Sequence, residues 1–196
     1  MRNDIFIRAY AEKISDFHYN LEARKAFIKP GEEDTLFITK NVMEWHQKLV
    51  ADYPKLLEAY KDHQQIVDML KLFEKTFLFE GSLEHFKSLV PHSEVVLSHN
   101  DGQENNLLSS LENPKNLMLI DYEYVGLNPR AFDLANYCNE TALDNAYPLK
   151  NGIAYFLENY IHQDELTLLL KEYLVNVYRK FYKGDKSKTS EEAYIE

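Results

Sequence analysis

An α+β fold, mainly helical and with one small β-hairpin, is predicted by two features of the 196-residue sequence. Apolar residues recur at helical spacing through both ends of the chain, whereas the stretch between residues 95 and 120 changes to short apolar runs separated by polar loops. Chain breakers are few, with six Gly and six Pro, which fits a chain made mostly of regular elements. A chain of this length buries about 70% of its unfolded surface, so it predicts one domain, 1–196, without need of a disulfide or structural metal.

Taken in order, Ile7, Tyr10, Ala11, Ile14 and Phe17 form the first helical stripe, and Ile38, Val42, Trp45 and Leu49 the second. Pro30 and Gly31 separate the two. Pro54 is expected to open a third helix in which Ile66, Met69, Leu70, Phe73 and Phe77 mark the buried face. After Pro91 the pattern reads strand (Val95 to Leu97), loop, short strand (Asn106 to Leu108), turn (Glu112 to Asn116) and strand (Leu117 to Ile120). Helical spacing returns from Ala131, through Ile153, Phe156, Leu157 and Tyr160, and again through Leu166, Leu169, Leu170, Tyr173 and Val177. The charged segment from Lys183 to Ser190 predicts a loop or frayed tail over 183–196.

Composition narrows the function. The 45% hydrophobic and 28% charged content is that of a globular chain. Lys and Arg number 22 against 32 Asp and Glu, a net charge of −10, which argues against nucleic-acid binding because phosphate neutralisation needs a basic surface. An acidic surface instead suits a cationic small molecule or a metal ion. The single cysteine, Cys138, excludes an intrachain disulfide and a multi-cysteine zinc site and fits a reducing compartment. No apolar stretch is long enough to span a bilayer, so the sequence predicts a soluble cytoplasmic protein with no membrane insertion.

The informative segment is His99-Asn100-Asp101-Gly102-Gln103-Glu104-Asn105-Asn106, followed by Leu119-Ile120-Asp121-Tyr122-Glu123-Tyr124. An aspartate after one strand, an asparagine five residues on and a second aspartate after a following strand gather oxygen ligands at one loop edge, which suits Mg²⁺. Kinase-type phosphoryl transfer needs these parts: an Asp to accept the proton of the attacking hydroxyl, an Asn on the metal, and an Asp on the metal that bridges the phosphates. Asp101, Asn106 and Asp121 fill the three places in order. The spacing by itself would equally describe a run of Asx-turns; strands on each side and the second Asp favour the chemical reading. Neither GxxxxGK[ST] nor GxGxxG occurs, so any nucleotide here lacks its usual cradle.

Read together, HNDGQENNLL and LMLIDYEYVGLNPRAFDLANYCNE resemble the choline/ethanolamine kinase family, relatives of the aminoglycoside phosphotransferases and protein kinases. The match falls on His99, Asn100, Asp101, Asn106, Asp121, Glu123, Tyr124, Asn128, Arg130, Phe132, Asp133, Asn136 and Glu140. The resemblance implies the mainly helical C-terminal lobe of a protein-kinase-like fold, with the hairpin carrying the catalytic loop. It implies Asp101 as the catalytic base, Asn106 and Asp121 as Mg²⁺ ligands with Glu123 close to the metal, and Gln103, Tyr124 and Glu140 around the amino-alcohol. A quaternary ammonium donates no hydrogen bond and is held by aromatic faces and carboxylates, and Tyr124 and Glu140 supply one of each. The implied reaction moves the γ-phosphate of ATP to the hydroxyl of choline or ethanolamine, the first step toward the corresponding phospholipids.

Around this set the plainer readings stand. His99 is expected to support the loop by packing and hydrogen bonding, Arg130 and Asp133 to form a charged brace at a helix start, and Cys138 to be a small buried hydrophobe. Tyr137, Tyr147, Tyr155 and Tyr160 are expected mostly to pack, with a cation pocket as the alternative. Tyr122 stands where the family usually has Phe, and Asn105 where Gly is common; neither change removes a ligand. Nothing in the sequence matches the family's N-terminal lobe with its phosphate-covering loop and lysine, and the only tryptophan is Trp45, so the expectation is a lone catalytic lobe, inactive by itself. A non-catalytic binding or scaffold module, or a kinase of another small alcohol or an aminoglycoside, are the alternatives. The oligomeric state is open, a homodimer included.

Overall fold

The computed structural model describes residues 3–90, 92–145 and 154–182. Among them the chain forms seven α-helices and six short strands: α1 (Asp4–His18), α2 (Leu21–Phe27), α3 (Phe37–Ala59), α4 (Gln64–Phe77), α5 (Ser82–Ser88), β1 (Val95–Ser98), β2 (Leu107–Ser109), β3 (Leu117–Leu119), β4 (Gly126–Pro129), α6 (Arg130–Glu140), β5 (Leu143–Asp144), β6 (Ala154–Tyr155) and α7 (Gln163–Val177). The α+β class is as the sequence predicts. Where length suggested one domain, the chain divides into two compact units, residues 1–33 with 93–196, and residues 34–92. The predicted tail 183–196, Tyr147 and Ile153 lie outside the described residues.

The first unit is built on α1 and α7. Asn3 caps α1, its side chain accepting from the Phe6 amide at 2.8 Å, and the backbone amide of His162 donates to Glu165 at 2.8 Å at the start of α7. The stripe read from the sequence becomes the core: Ile7, Tyr10, Ala11 and Ile14 of α1 pack with Leu169, Tyr173 and Val177 of α7, Leu107, Leu117 and Leu119 of the strands, and Leu134, Tyr137 and Cys138 of α6. Lys180, in a π-helical turn that continues α7, reaches back to Glu12 at 3.0 Å and Asp16 at 2.9 Å. An ion pair joins Arg8 and Glu172 across the same two helices.

The sheets are two-stranded and antiparallel. β2 and β3 form the expected hairpin, Leu107 opposite Leu119 and Ser109 opposite Leu117. β1 pairs with β4, Val95 opposite Pro129 and Ser98 opposite Gly126, a long-range partnership that local patterning does not reveal. The structure also replaces the helix expected around Phe156, Leu157 and Tyr160: β6 pairs with β5, Leu143 opposite Tyr155, and residues 157–159 form a single 3₁₀ turn. Apolar residues there serve short strands and a turn, whose periods a sparse helical pattern mimics.

The second unit holds α3, α4 and α5. Pro54 does not open a helix; it lies inside α3, and α4 begins only at Gln64. The Tyr53 hydroxyl donates to Glu74 at 2.8 Å, and His46 and the Ser82 hydroxyl share a hydrogen bond at 3.0 Å. The face of α4 expected in a core is nowhere fully buried: Ile66, Leu70 and Phe73 are half-buried, while Phe77 is 40% exposed and Met69 70%. Trp45 of the second stripe is likewise half exposed. Amphipathic spacing makes a helix, but burial depends on a facing partner that the helix does not itself encode.

Candidate active site

The loop after β1 places the predicted base. Ser98 ends the strand buried, and the chain then turns through Asn100, whose φ of 65° is left-handed, a conformation Asn tolerates better than most residues. Buried Asp133 of α6 holds this turn: one carboxylate oxygen accepts from the Asn100 amide at 2.6 Å, the other from the His99 amide at 2.7 Å. The Asn100 side chain donates to the Tyr124 carbonyl and accepts from Asn128 of β4, both at 2.8 Å. The Gly102 amide donates to the Asn136 side chain. The loop is thus fixed at His99, Asn100 and Gly102, on both sides of Asp101.

Asp101 and Asn106 meet directly. The Asn106 Nδ2 donates to the Asp101 carboxylate at 2.7 Å and to its carbonyl at 3.2 Å, and Gln103 Nε2 donates to the same carboxylate at 3.1 Å. With Nδ2 donating, the Oδ1 of buried Asn106 is the acceptor side of the amide, an oxygen that could ligate a cation. The Ile120 amide donates to the Asn106 carbonyl at 3.1 Å, continuing the hairpin ladder, so Asp121 is the first residue beyond that pair. Asp121 has a φ of 63° and is exposed. Tyr122 stacks on Phe17 with ring centres 5.8 Å apart, and its hydroxyl donates to the Leu119 carbonyl at 2.6 Å, a bond that Phe cannot make.

Around Asp101 the charge is negative. Glu140, at the end of α6, and Gln103 are joined through Asn145, whose Nδ2 reaches Glu140 at 3.2 Å and Gln103 at 3.4 Å. Burial lifts the Glu140 carboxyl above its ordinary pKa; the Asn145 hydrogen bond opposes this, and the charges of Asp101 and Glu104 add to the rise. One oxygen of Glu104 is buried without a hydrogen bond, as is the hydroxyl of Tyr10, which stacks on Tyr137 at 4.0 Å.

The structure therefore brings Asp101, Gln103 and Asn106 into contact, links Glu140 to Gln103 through Asn145, and sets Asp121 one residue beyond the Ile120–Asn106 pair of the hairpin. Tyr124 touches the loop through its backbone, while its side chain and Glu123 are exposed. His99 is buried, its Nε2 2.9 Å from the Ile120 carbonyl and its Nδ1 without a partner. The charged brace between Arg130 and Asp133 is not present. Arg130 approaches Glu94 at 3.4 Å and the Tyr19 hydroxyl at 3.3 Å, and Asp133 faces the loop amides, which hold a buried carboxylate at closer range. Tyr137 is buried, as is Cys138, whose thiol burial pushes up to about 11; Tyr155 is exposed.

His18 and Asn145 carry no signal in the sequence, and Tyr173 and Glu104 read there only as a stripe residue and a loop residue. His18 and Tyr173 lie 155 residues apart, and no local spacing connects them. Asn128 and Asn136 carry a signal in the motif itself, as polar residues on buried or half-buried positions. Among the described residues no three His, Cys, Asp or Glu side chains cluster as a self-sufficient metal site. An Asn oxygen and a single Asp carboxylate fit an ion of the Mg²⁺ kind, which takes few protein ligands and completes its shell with water and phosphate.

Comparison with known proteins addresses the family and the fold. The family model for choline/ethanolamine kinase matches residues 1–195. A human choline/ethanolamine kinase is 30% identical over 210 residues, covering 91% of this chain and 47% of its own length, and a Caenorhabditis elegans choline kinase B2 is 40% identical over 95 residues, covering 48% and 24%. The chain spans about half the length of such curated relatives. Among solved structures, a Plasmodium vivax ethanolamine kinase superposes with a TM-score of 0.63 at 20% identity, covering 98% of this chain and 47% of its own. A Cryptosporidium parvum choline kinase gives 0.61 at 20%, covering 90% and 50%. No described helix is long and apolar enough to cross a membrane. With the family model matching over nearly its whole length, the chain belongs to the choline/ethanolamine kinase family.

Proposed function

We propose that residues 1–196 are the catalytic lobe of an ATP-dependent kinase that phosphorylates the hydroxyl of choline or ethanolamine. The reading rests on one observation above others: the Asn106 amide is clasped on the Asp101 carboxylate, with Asp121 next to it across the hairpin. Asp101, fixed by Asn106 and Gln103, accepts the proton as the substrate hydroxyl oxygen bonds to the γ-phosphorus and ADP leaves. Asn106 Oδ1 and the Asp121 carboxylate hold Mg²⁺, with Glu123 nearby; the ion, when bound, neutralises charge on the phosphate oxygens. The negative surroundings of Asp101, Glu104 and Glu140 favour a cationic amino-alcohol, and Gln103, Tyr124 and Glu140 are the groups assigned to it. His99, Asn100 and Asp133 support the loop, whereas Arg130, assigned the same task by the motif, is engaged by Glu94 and Tyr19. The phosphate-covering lysine and loop of the family have no counterpart in residues 1–196, so this stretch alone is expected to transfer little phosphate.

The test uses the longest reading frame that contains residues 1–196, assayed with choline, ethanolamine and an aminoglycoside in parallel. Asp101→Asn is expected to lower kcat by about 10² to 10⁴ with little change in KM, the usual range for loss of a general base. Asn106→Ala and Asp121→Ala are each expected to raise the Mg²⁺ needed for half-maximal rate. A near-native kcat in Asp101→Asn would sink the assignment, as would an aminoglycoside turned over in preference to either amino-alcohol.

A further inference from the structure

Asp133 grips the catalytic loop, yet a carboxylate on a helix has rotational freedom of its own. Its orientation is set from outside the motif. The His18 Nε2, on α1, lies 3.0 Å from the same Asp133 oxygen that accepts the His99 amide. On the other side of the ring the His18 Nδ1 lies 2.7 Å from the hydroxyl of Tyr173 on α7. All three side chains are buried: Asp133 is 1% exposed, His18 3% and Tyr173 1%. An ionised carboxylate only accepts, so the proton of a neutral imidazole sits on Nε2, and Nδ1 accepts from the Tyr173 hydroxyl.

We infer that Tyr173 and His18 are positioning residues for the phosphotransfer reaction: Tyr173 fixes the ring and tautomer of His18, His18 fixes the Asp133 carboxylate, and Asp133 holds the His99 and Asn100 amides that aim Asp101. The chain of contacts joins α7, α1, α6 and the loop without a gap; the bonds among Tyr173, His18, Asp133 and the His99 amide are buried, where geometry is held most firmly, and the Asn100 amide bond is partly buried. The aim of Asp101 is thereby tied to the α1–α7 core instead of to the loop alone. The catalytic side of this role rests on the reading of Asp101 as the base; the positional side does not.

Nuclear magnetic resonance on the 196-residue chain reads the positional side without any activity. Three outcomes are expected: an Nε2-protonated His18 tautomer that is lost in Tyr173→Phe, amide exchange at His99 and Asn100 about tenfold faster in Tyr173→Phe and His18→Leu, and recovery in His18→Gln, whose amide can still donate to Asp133. Exchange that stays at the native rate at His99 and Asn100 overturns the inference. So does exchange that rises uniformly along α1 and α7, since that marks a packing role only. Should His18→Leu fail to fold, Tyr173→Phe, which removes a single hydroxyl, decides the matter. In the longer reading frame the same two variants are expected to lower kcat several-fold with KM unchanged. A loop that loosens while Asp101→Asn stays active would overturn the base and leave the positioning network standing.

Discussion

Gly102 follows the proposed base, and its requirement is one of space. A Cβ there would stand 3.2 Å from the Asn136 Oδ1 and 3.3 Å from the Tyr10 hydroxyl, both on buried or half-buried side chains with little room to yield. Gly102→Ala is therefore expected to cost about 1–3 kcal/mol, as overpacking does, and to break the Gly102 to Asn136 bond. Thermal unfolding checks the first part; a native melting temperature would show that Tyr10 and Asn136 move aside freely. Cys138 supplies a pH prediction at the same scale. Burial raises its thiol to about 11, above the value of about 8.5 for an unfolded chain, so the fold favours the neutral form. That contribution is complete below the unfolded value and is lost as pH rises through about 11, so Cys138→Ala should flatten the fall in stability over that window. An unchanged alkaline limb in the variant would count against the thiol as its cause. The catalytic loop was legible in the sequence because its residues are contiguous, whereas the contact of Gly102 with Tyr10 and Asn136 is not, being made by three segments far apart in the chain.

At the scale of elements, helical spacing located the helices better than it located what they bury. The stripes of α1 and α7 match the buried faces because each helix faces the other: Leu169 and Val177 are fully enclosed, and of the α7 stripe Leu170 alone is exposed. In α4 the same kind of stripe is only half-buried at Ile66, Leu70 and Phe73, and Met69 is mostly exposed. Leu169→Ala should destabilise its unit by about 2–5 kcal/mol, the range for a core truncation, whereas Met69→Ala should fall within about 0.5 kcal/mol of the parent. Urea titration of the two variants gives the comparison. Equal effects would mean that Met69 is packed as firmly as Leu169, against its exposure. Pro54 teaches the complementary point. Proline is favoured in the first turn of a helix, and inside α3 it removes one backbone hydrogen bond, a cost that neighbouring turns can carry in a helix of 23 residues. The pairing of β1 with β4 was illegible for a different reason: four-residue strands specify little register, and their partner is chosen by Asp133 and Asn128 gathering the loop between them.

For the whole molecule, the two units divide labour unequally. Every residue assigned to the chemistry, from Asp101 to Glu140, belongs to the unit made of residues 1–33 and 93–196, as do His18 and Tyr173, which hold the loop. That unit contains the large buried core of α1, α6, α7 and the hairpin. In residues 34–92 only Tyr53 and Ser82 are buried among the described positions, so little apolar surface leaves water when this unit folds. Local stability follows buried contacts, so the amides of α3, α4 and α5 should exchange with solvent at least tenfold faster than those of α1 and α7. Native-state hydrogen exchange on the intact chain resolves the two sets. The amides of His99 and Asn100 should follow the slow set, because Asp133 and His18 tie them to the α1–α7 core. If those two amides instead exchanged with α3 to α5, the loop would open with the smaller unit, and the site would owe its geometry to residues 34–92 as much as to the core beneath it.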